Sequence, residues 1–150
     1  MSRALEMNSS NFLVLREKVL ALLMDSGNIG IRERLELGAQ IATDRSKVRD
    51  TLDIALSWIR DLLSARATDR PEGIANIDLL DRIVSEAQHH TSDELFAIYD
   101  EVSKASELAE AEFNVNRNLI MDVLLLKIMR IGTDNPTRAG AIDLRTKART

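Results

Sequence analysis

The sequence predicts an all-α fold, a single helical bundle of about five or six helices, from three observations on its 150 residues. Aromatic residues supply only 3% of the chain while hydrophobic residues supply 45%, so the core is aliphatic. A β-sandwich leans instead on aromatic and β-branched side chains. Apolar residues recur at helical spacing through most of the chain, and cap-forming residues stand where those patterns begin. A chain of this length forms one compact domain that buries roughly two thirds of its unfolded surface.

Residues 1–11 are polar and unpatterned and are expected to form a flexible leader, with Ser9 or Ser10 as an N-cap. Residues 12–131 form the helical domain. Phe12, Leu15, Val19, Leu22 and Leu23 trace the apolar stripe of a first helix, with Arg16, Glu17 and Lys18 opposite. Asp25, Ser26, Gly27 and Asn28 stop it. A second helix over 31–42 is expected to bury Ile31, Leu35, Ala39 and Ala42. Gly38 weakens it but permits close packing. Thr43 or Asp44 caps a longer third helix over 45–67, striped by Val48, Leu52, Ala55, Ile59, Leu62 and Arg66. Pro71 and Gly73 mark a connector.

A fourth helix is predicted over 77–90 through Leu79, Leu80, Ile83, Val84 and Ala87. Thr91-Ser92-Asp93-Glu94 then fits a capping box, in which the threonine hydroxyl accepts from the Glu94 N–H. The fifth helix runs to about Phe113, with Leu95, Tyr99, Val102, Ser106 and Ala109 on one face. Asn114-Val115-Asn116 breaks the pattern, and Asn116 caps a last helix over 117–131. Residues 132–150 carry Pro136, Gly140, Arg138, Arg145, Lys147 and Arg149 and are expected to be a disordered basic tail.

Several chemistries are excluded at once. With no cysteine there is no disulfide, thiolate nucleophile or cysteine-held metal. No glycine-rich loop ends in Gly-Lys-Ser/Thr, and no G-x-G-x-x-G fingerprint is present, so a nucleotide cradle is absent. No apolar run approaches the roughly twenty residues of a membrane span. The formal net charge of −4 opposes grip on a phosphate backbone.

The adjacent His89 and His90 diverge on a regular helix, so they read as a solvated helix end suited to the dipole. The pairs Asp50 and Asp53, Asp78 and Asp81, Asp93 and Glu94, and the set Glu107, Glu110 and Glu112 read as solvated faces. Arg60 and Asp61 read as a surface charge cluster. Trp58 is either a packing anchor or an anchor for a partner. In the last helix, Leu119, Ile120, Met121, Val123, Leu124, Leu125, Leu126, Ile128 and Met129 cover nearly the whole circumference. A helix apolar all round is buried all round, either as the bundle's central rod or in a subunit interface.

Two segments and their order carry a resemblance. Ala55-Leu56-Ser57-Trp58-Ile59-Arg60-Asp61-Leu62-Leu63, and Asn114-Val115-Asn116-Arg117-Asn118-Leu119 leading into Leu124-Leu125-Leu126, resemble the C-terminal collar domain of bacterial DNA polymerase III delta-prime subunits. The capped helix over 92–113 has the matching place and length. The resemblance covers about 12–130 and implies a clamp-loader collar-like helical domain without catalysis or cofactor. It implies partners of the gamma/tau and delta types, joined by collar packing in the complex that uses ATP to load the sliding clamp on primed DNA. The family's nucleotide-linked region, with its Ser-Arg-Cys motif, has no counterpart in this cysteine-free chain.

Carried over residue by residue, the resemblance stops at scaffolding: Trp58 matches the family's helix tryptophan, Asn114 and Asn116 its structural turn, and Leu124 to Leu126 its final helix. Trp58, Leu124, Leu125 and Ile128 are the residues expected at a partner interface. The resemblance implies a cytoplasmic location, no contact with nucleic acid or membrane, and self-association as an option for the isolated domain. The basic tail departs from the family pattern. One alternative is a small helical ligand- or metal-binding domain or enzyme using surface carboxylates with His89 and His90. Another is a nucleic-acid-binding regulator acting through the tail.

Overall fold

A helix start leaves several backbone N–H groups without partners, and two short-range caps supply them. The Asp44 Oδ1 accepts from the N–H of Ser46 at 2.8 Å and of Lys47 at 3.4 Å. The Asn116 Oδ1 accepts from the N–H of Leu119 at 2.9 Å. These caps open two of the longer helices.

The computed structural model describes residues 9–23, 30–67, 73–111 and 116–133. They form an all-α bundle: α1 (Ser9–Leu23), α2 (Ile31–Ala42), α3 (Arg45–Ala67), a 3-10 turn (Ile77–Leu79), α4 (Leu80–Ala87), α5 (Ser92–Ala109) and α6 (Arg117–Thr133). No strand occurs among the described residues. The stop at 25–28, Pro71, Glu112, Phe113, Asn114 and the basic tail from 134 onward lie outside them, as do residues 1–8.

Four boundaries differ from the sequence pattern. α1 already includes residues 9–11, which the pattern assigned to the leader. The segment over 77–90 divides into the 3-10 turn and a short α4, and His89 and His90 lie beyond its end. α5 closes at Ala109 and α6 continues to Thr133. The threonine half of the capping box is formed, with the Glu94 N–H donating to Thr91 Oγ1 at 3.0 Å.

The described residues cluster into two compact units. One takes the residues up to Leu56 together with Glu101–Lys127, and the other takes Ser57–Asp100 with the residues from Ile128 onward. The first is packed by Val19, Leu20 and Leu22 of α1, Val48 and Leu52 of α3, Val102 of α5 and Met121 and Leu125 of α6. Arg16, expected on the solvent side, is buried in this unit, its guanidinium 5.5 Å from the centre of the Phe12 ring. A guanidinium stacked on an aromatic face gives up little on leaving water. The second unit is packed by Trp58, Ile59 and Leu62 of α3, Ile83 of α4 and Leu95 and Ile98 of α5.

α2 buries a different stripe from the one predicted. Arg34, Gly38 and Ile41 are buried, whereas Ile31 is exposed and Leu35, Ala39 and Ala42 are half-buried. The cause is the glycine. A Cβ at Gly38 would stand 3.0 Å from Leu125 Cδ1 and 3.9 Å from Met121 Cβ, so the bare backbone face of α2 meets α6. Gly38→Ala is expected to shift stability by less than about 1 kcal/mol, because gained helix propensity offsets the displaced tip of Leu125. Gly38→Val, with two further carbons in the same space, is expected to cost about 2–3 kcal/mol. Urea titrations of the two variants check the difference.

Candidate functional site

α6 offers the chain's main candidate surface. Its apolar residues extend beyond the stripe that packing requires. Met121, Leu124, Leu125 and Ile128 are buried, while Leu119, Val123 and Leu126 face outward. The last three are spaced four and three residues apart and so share one helix face. Leu108 of α5 is likewise exposed, and the four side chains are between 41% and 59% exposed. The all-round apolar character predicted burial all round, yet α6 is sealed on one side only.

This placement redistributes the residues expected at a partner interface. Trp58, Leu124, Leu125 and Ile128 are each at most 4% exposed and occupy the cores of their own units. A side chain sealed in this way presents no area to a partner. Asn116 caps α6, and Asn114, expected to form a turn with it, lies outside the described residues. The sequence pattern does not single out Leu108, and it includes Leu119, Val123 and Leu126 in the apolar last helix without setting them apart from its buried residues. The signal that distinguishes them was present: subtracting the stripe facing Gly38 from a helix apolar on all sides leaves them.

The polar clusters are structural. Asp61, read from sequence as part of a surface charge cluster, is 1% exposed. Its Oδ1 accepts from the Ala75 N–H at 2.9 Å, and its Oδ2 accepts from the Asn76 N–H at 2.8 Å and Asn76 Nδ2 at 2.7 Å. The carboxylate thereby fixes the chain just before the 3-10 turn. Arg60 points outward and donates to the Tyr99 hydroxyl at 3.3 Å.

His90, expected to be solvated, is 2% exposed. Its Nδ1 is 2.9 Å from Glu94 Oε1 and its Nε2 is 3.3 Å from Glu86 Oε1. Each ring nitrogen has a carboxylate partner, so the imidazole joins α4 to α5 and is occupied on both sides. The exposed Arg66 holds the same junction from α3, donating to the Ala87 carbonyl at 2.9 Å and to Ser92 Oγ at 3.3 Å. Among the described residues no group of three or more His, Cys, Asp or Glu side chains is placed to hold a metal ion. The arrangement therefore lends no support to a metal centre on His89 and His90.

Among the other carboxylates, Asp50 and Glu94 are buried, contrary to the solvated reading, while Asp78, Asp81, Asp93 and Glu107 are exposed. Burial pushes the Asp53 carboxyl up, with the neighbouring Asp50 charge adding to the effect and Arg49 opposing it. Glu110 is held below its ordinary value by hydrogen bonds from the Arg49 guanidinium. Arg49 Nε donates to Glu110 Oε1 at 2.6 Å and Nη2 donates to Oε2, a two-pronged fork between α3 and the residue that follows α5.

The lowered Glu110 value gives a definite sign. The unfolded state binds the proton first as pH falls, so the fork's contribution is intact above the ordinary glutamate range. It is lost as pH falls through the lowered value. The stability difference between the parent and Glu110→Gln is expected to be small, because both ends face solvent, and to vanish at the acid end. Asp53 acts in the opposite direction. Its raised value makes stability decline as pH rises through the interval above the ordinary aspartate range. Thermal melts of the parent, Glu110→Gln and Asp53→Asn across the acidic range separate the two.

A cleft of about 440 Å³ lies among α1, α2 and α3, lined by Val14, Leu15, Leu37 and Ile41 and edged by Lys18, Lys47 and Asp50. It brings together one carboxylate and no histidine, so it lacks the paired acid and base of hydrolytic chemistry. No helix among the described residues is long and apolar enough to cross a membrane.

A model of the family described as DNA polymerase III, delta subunit, C terminal, matches residues 10–130, from the second residue of α1 into the last turns of α6. No curated protein and no solved structure matches the chain.

Proposed function

The chain belongs to the family of C-terminal domains of DNA polymerase III delta subunits, and from that footing we propose that it is a non-catalytic assembly module of a replicative clamp loader, of the delta-prime type. The observation that carries this reading is the outward apolar face of α6 within a family-matched helical chain. Leaving a leucine or valine half in water forgoes on the order of 1 kcal/mol, so Leu108, Leu119, Val123 and Leu126 together forgo several. A partner that covers them recovers that energy. The delta-prime assignment is supported by the tryptophan-bearing segment of α3 and by Asn116, which caps α6.

The partners in this reading are subunits of the gamma/tau and delta types, joined through helical collar packing in the cytoplasm. The chain contributes adhesion, while ATP chemistry and contact with DNA belong to other parts of the complex. Mixing the chain with gamma/tau-type and delta-type subunits and following co-elution on a sizing column tests it. Capture of both at micromolar concentration is the expected result. Displacement of the delta-type subunit from a preformed complex would make this chain delta-type instead, and no co-elution at all would refute the assembly role.

A further inference from the structure

We propose that the cleft between α5 and α6 is the seat of an acidic amphipathic helix from another protein of the assembly, anchored there by its leucines. The inference rests on reading this face as an assembly surface and names the chemistry of what it receives. The cleft has a volume of about 200 Å³ between Ala105 and Leu108 of α5 and Leu119, Ile120 and Val123 of α6. Small-molecule pockets span roughly 300–1,000 Å³ and enclose most of their ligand. This shallower, apolar trough instead suits one or two inserted side chains.

The outward residues set the shape of the occupant. Leu119, Val123 and Leu126 form a ridge along α6, with Leu108 across the trough, all exposed. Ridges of this kind interdigitate with the i, i+3 and i+4 rows of a second helix laid along them. The trough alone falls well short of the roughly 800 Å² per partner of a stable interface, so it serves as the anchor of a larger contact.

The rim sets the charge. Lys127 Nζ is 3.2 Å from Glu101 Oε2 and Lys104 Nζ is 3.8 Å from Glu101 Oε1. The lysine side chains are 53% and 59% exposed, against 19% for the glutamate that bridges them. The trough therefore has two ammonium groups and one recessed carboxylate at its edge, on a chain whose formal net charge is −4. Aspartate or glutamate flanking the occupant's leucines meets that edge favourably, and lysine or arginine meets it with repulsion. A second copy docked face to face on the same trough would bring the same surplus of ammonium groups to the shared edge, because a two-fold contact uses one patch from both sides.

Two synthetic helical peptides with one leucine pattern, one flanked by glutamate and one by lysine, test the proposal on the methyl-labelled chain. The glutamate peptide is expected to shift the methyl resonances of Leu108, Leu119 and Val123 and to bind about tenfold or more tightly than the lysine peptide at low salt. Added salt narrows that gap. The double variant Lys104→Glu, Lys127→Glu inverts the preference. Equal binding of the two peptides, shifts confined to other residues, or a dimer of the chain that masks these methyls would overturn the proposal. Clamp-loader proteins that co-elute undiminished with Val123→Glu and with the double variant would overturn the trough while leaving the assembly role intact. Failure of the parent to co-elute refutes that role, and the peptide comparison still decides the trough.

Discussion

Asp61→Ala is expected to lower the unfolding free energy of the second unit by about 3–5 kcal/mol, through the loss of a charged acceptor that two buried Asn76 donors use. The Ala75 N–H adds little, because Ala75 is exposed and water replaces the carboxylate there. Ser57 Oγ, 3.3 Å from Asn76 Nδ2, offers that amide a second acceptor and sets the lower end of the range. Asp61→Asn keeps one accepting oxygen but turns an NH₂ group toward the same donors, so it is expected to recover only part of the loss. Urea unfolding of the three proteins, with faster hydrogen exchange at Asn76 and Leu79 in the alanine variant, is the measurement. A change below about 1 kcal/mol for Asp61→Ala would mean that the clamp on this segment is dispensable.

Trp58→Ala is the second large effect, at about 3–5 kcal/mol, the usual cost of emptying an aromatic site in a packed core. Trp58 is the largest of the fully buried side chains, and its indole Nε1 has no hydrogen-bond acceptor among the described residues. The residue therefore contributes volume and apolar area and no polar anchor. Trp58→Phe is accordingly expected to cost only about 1–2 kcal/mol, since no hydrogen bond is lost with the indole. The pair also tests the assignment of Trp58 to a partner interface. A folded Trp58→Phe chain that assembles like the parent places the tryptophan's role in the core, whereas lost assembly at preserved stability restores it to the interface.

What could be read from the sequence was what is local. The Asp44 and Asn116 caps and the Thr91 hydroxyl bond all involve residues two or three apart, and the bounds 31–42 and 45–67 expected for α2 and α3 are those observed. The family resemblance was likewise carried by contiguous segments and agrees with the matched family at the level of the clamp loader. Misread features were those decided by partners far along the chain. Asp61 finds its donors fourteen and fifteen residues away, and nothing in an Arg-Asp dipeptide announces that. Arg16 and the stripe of α2 were misplaced because periodicity gives a face its width but not its direction. Gly38 holds that information, through what lies opposite it. The outward residues of α6 were obscured by excess, since a helix apolar on every side does not say which side the rest of the chain will use.

The placement of the chain's only tryptophan and only tyrosine has an optical consequence. Trp58 and Tyr99 both belong to the second unit. Emission excited at the tryptophan band follows that half of the molecule alone, while far-ultraviolet ellipticity sums over every helix. Overlaying the two denaturation traces thus weighs one half against the whole without adding a dye, and any gap between them belongs to the first unit, which carries neither ring.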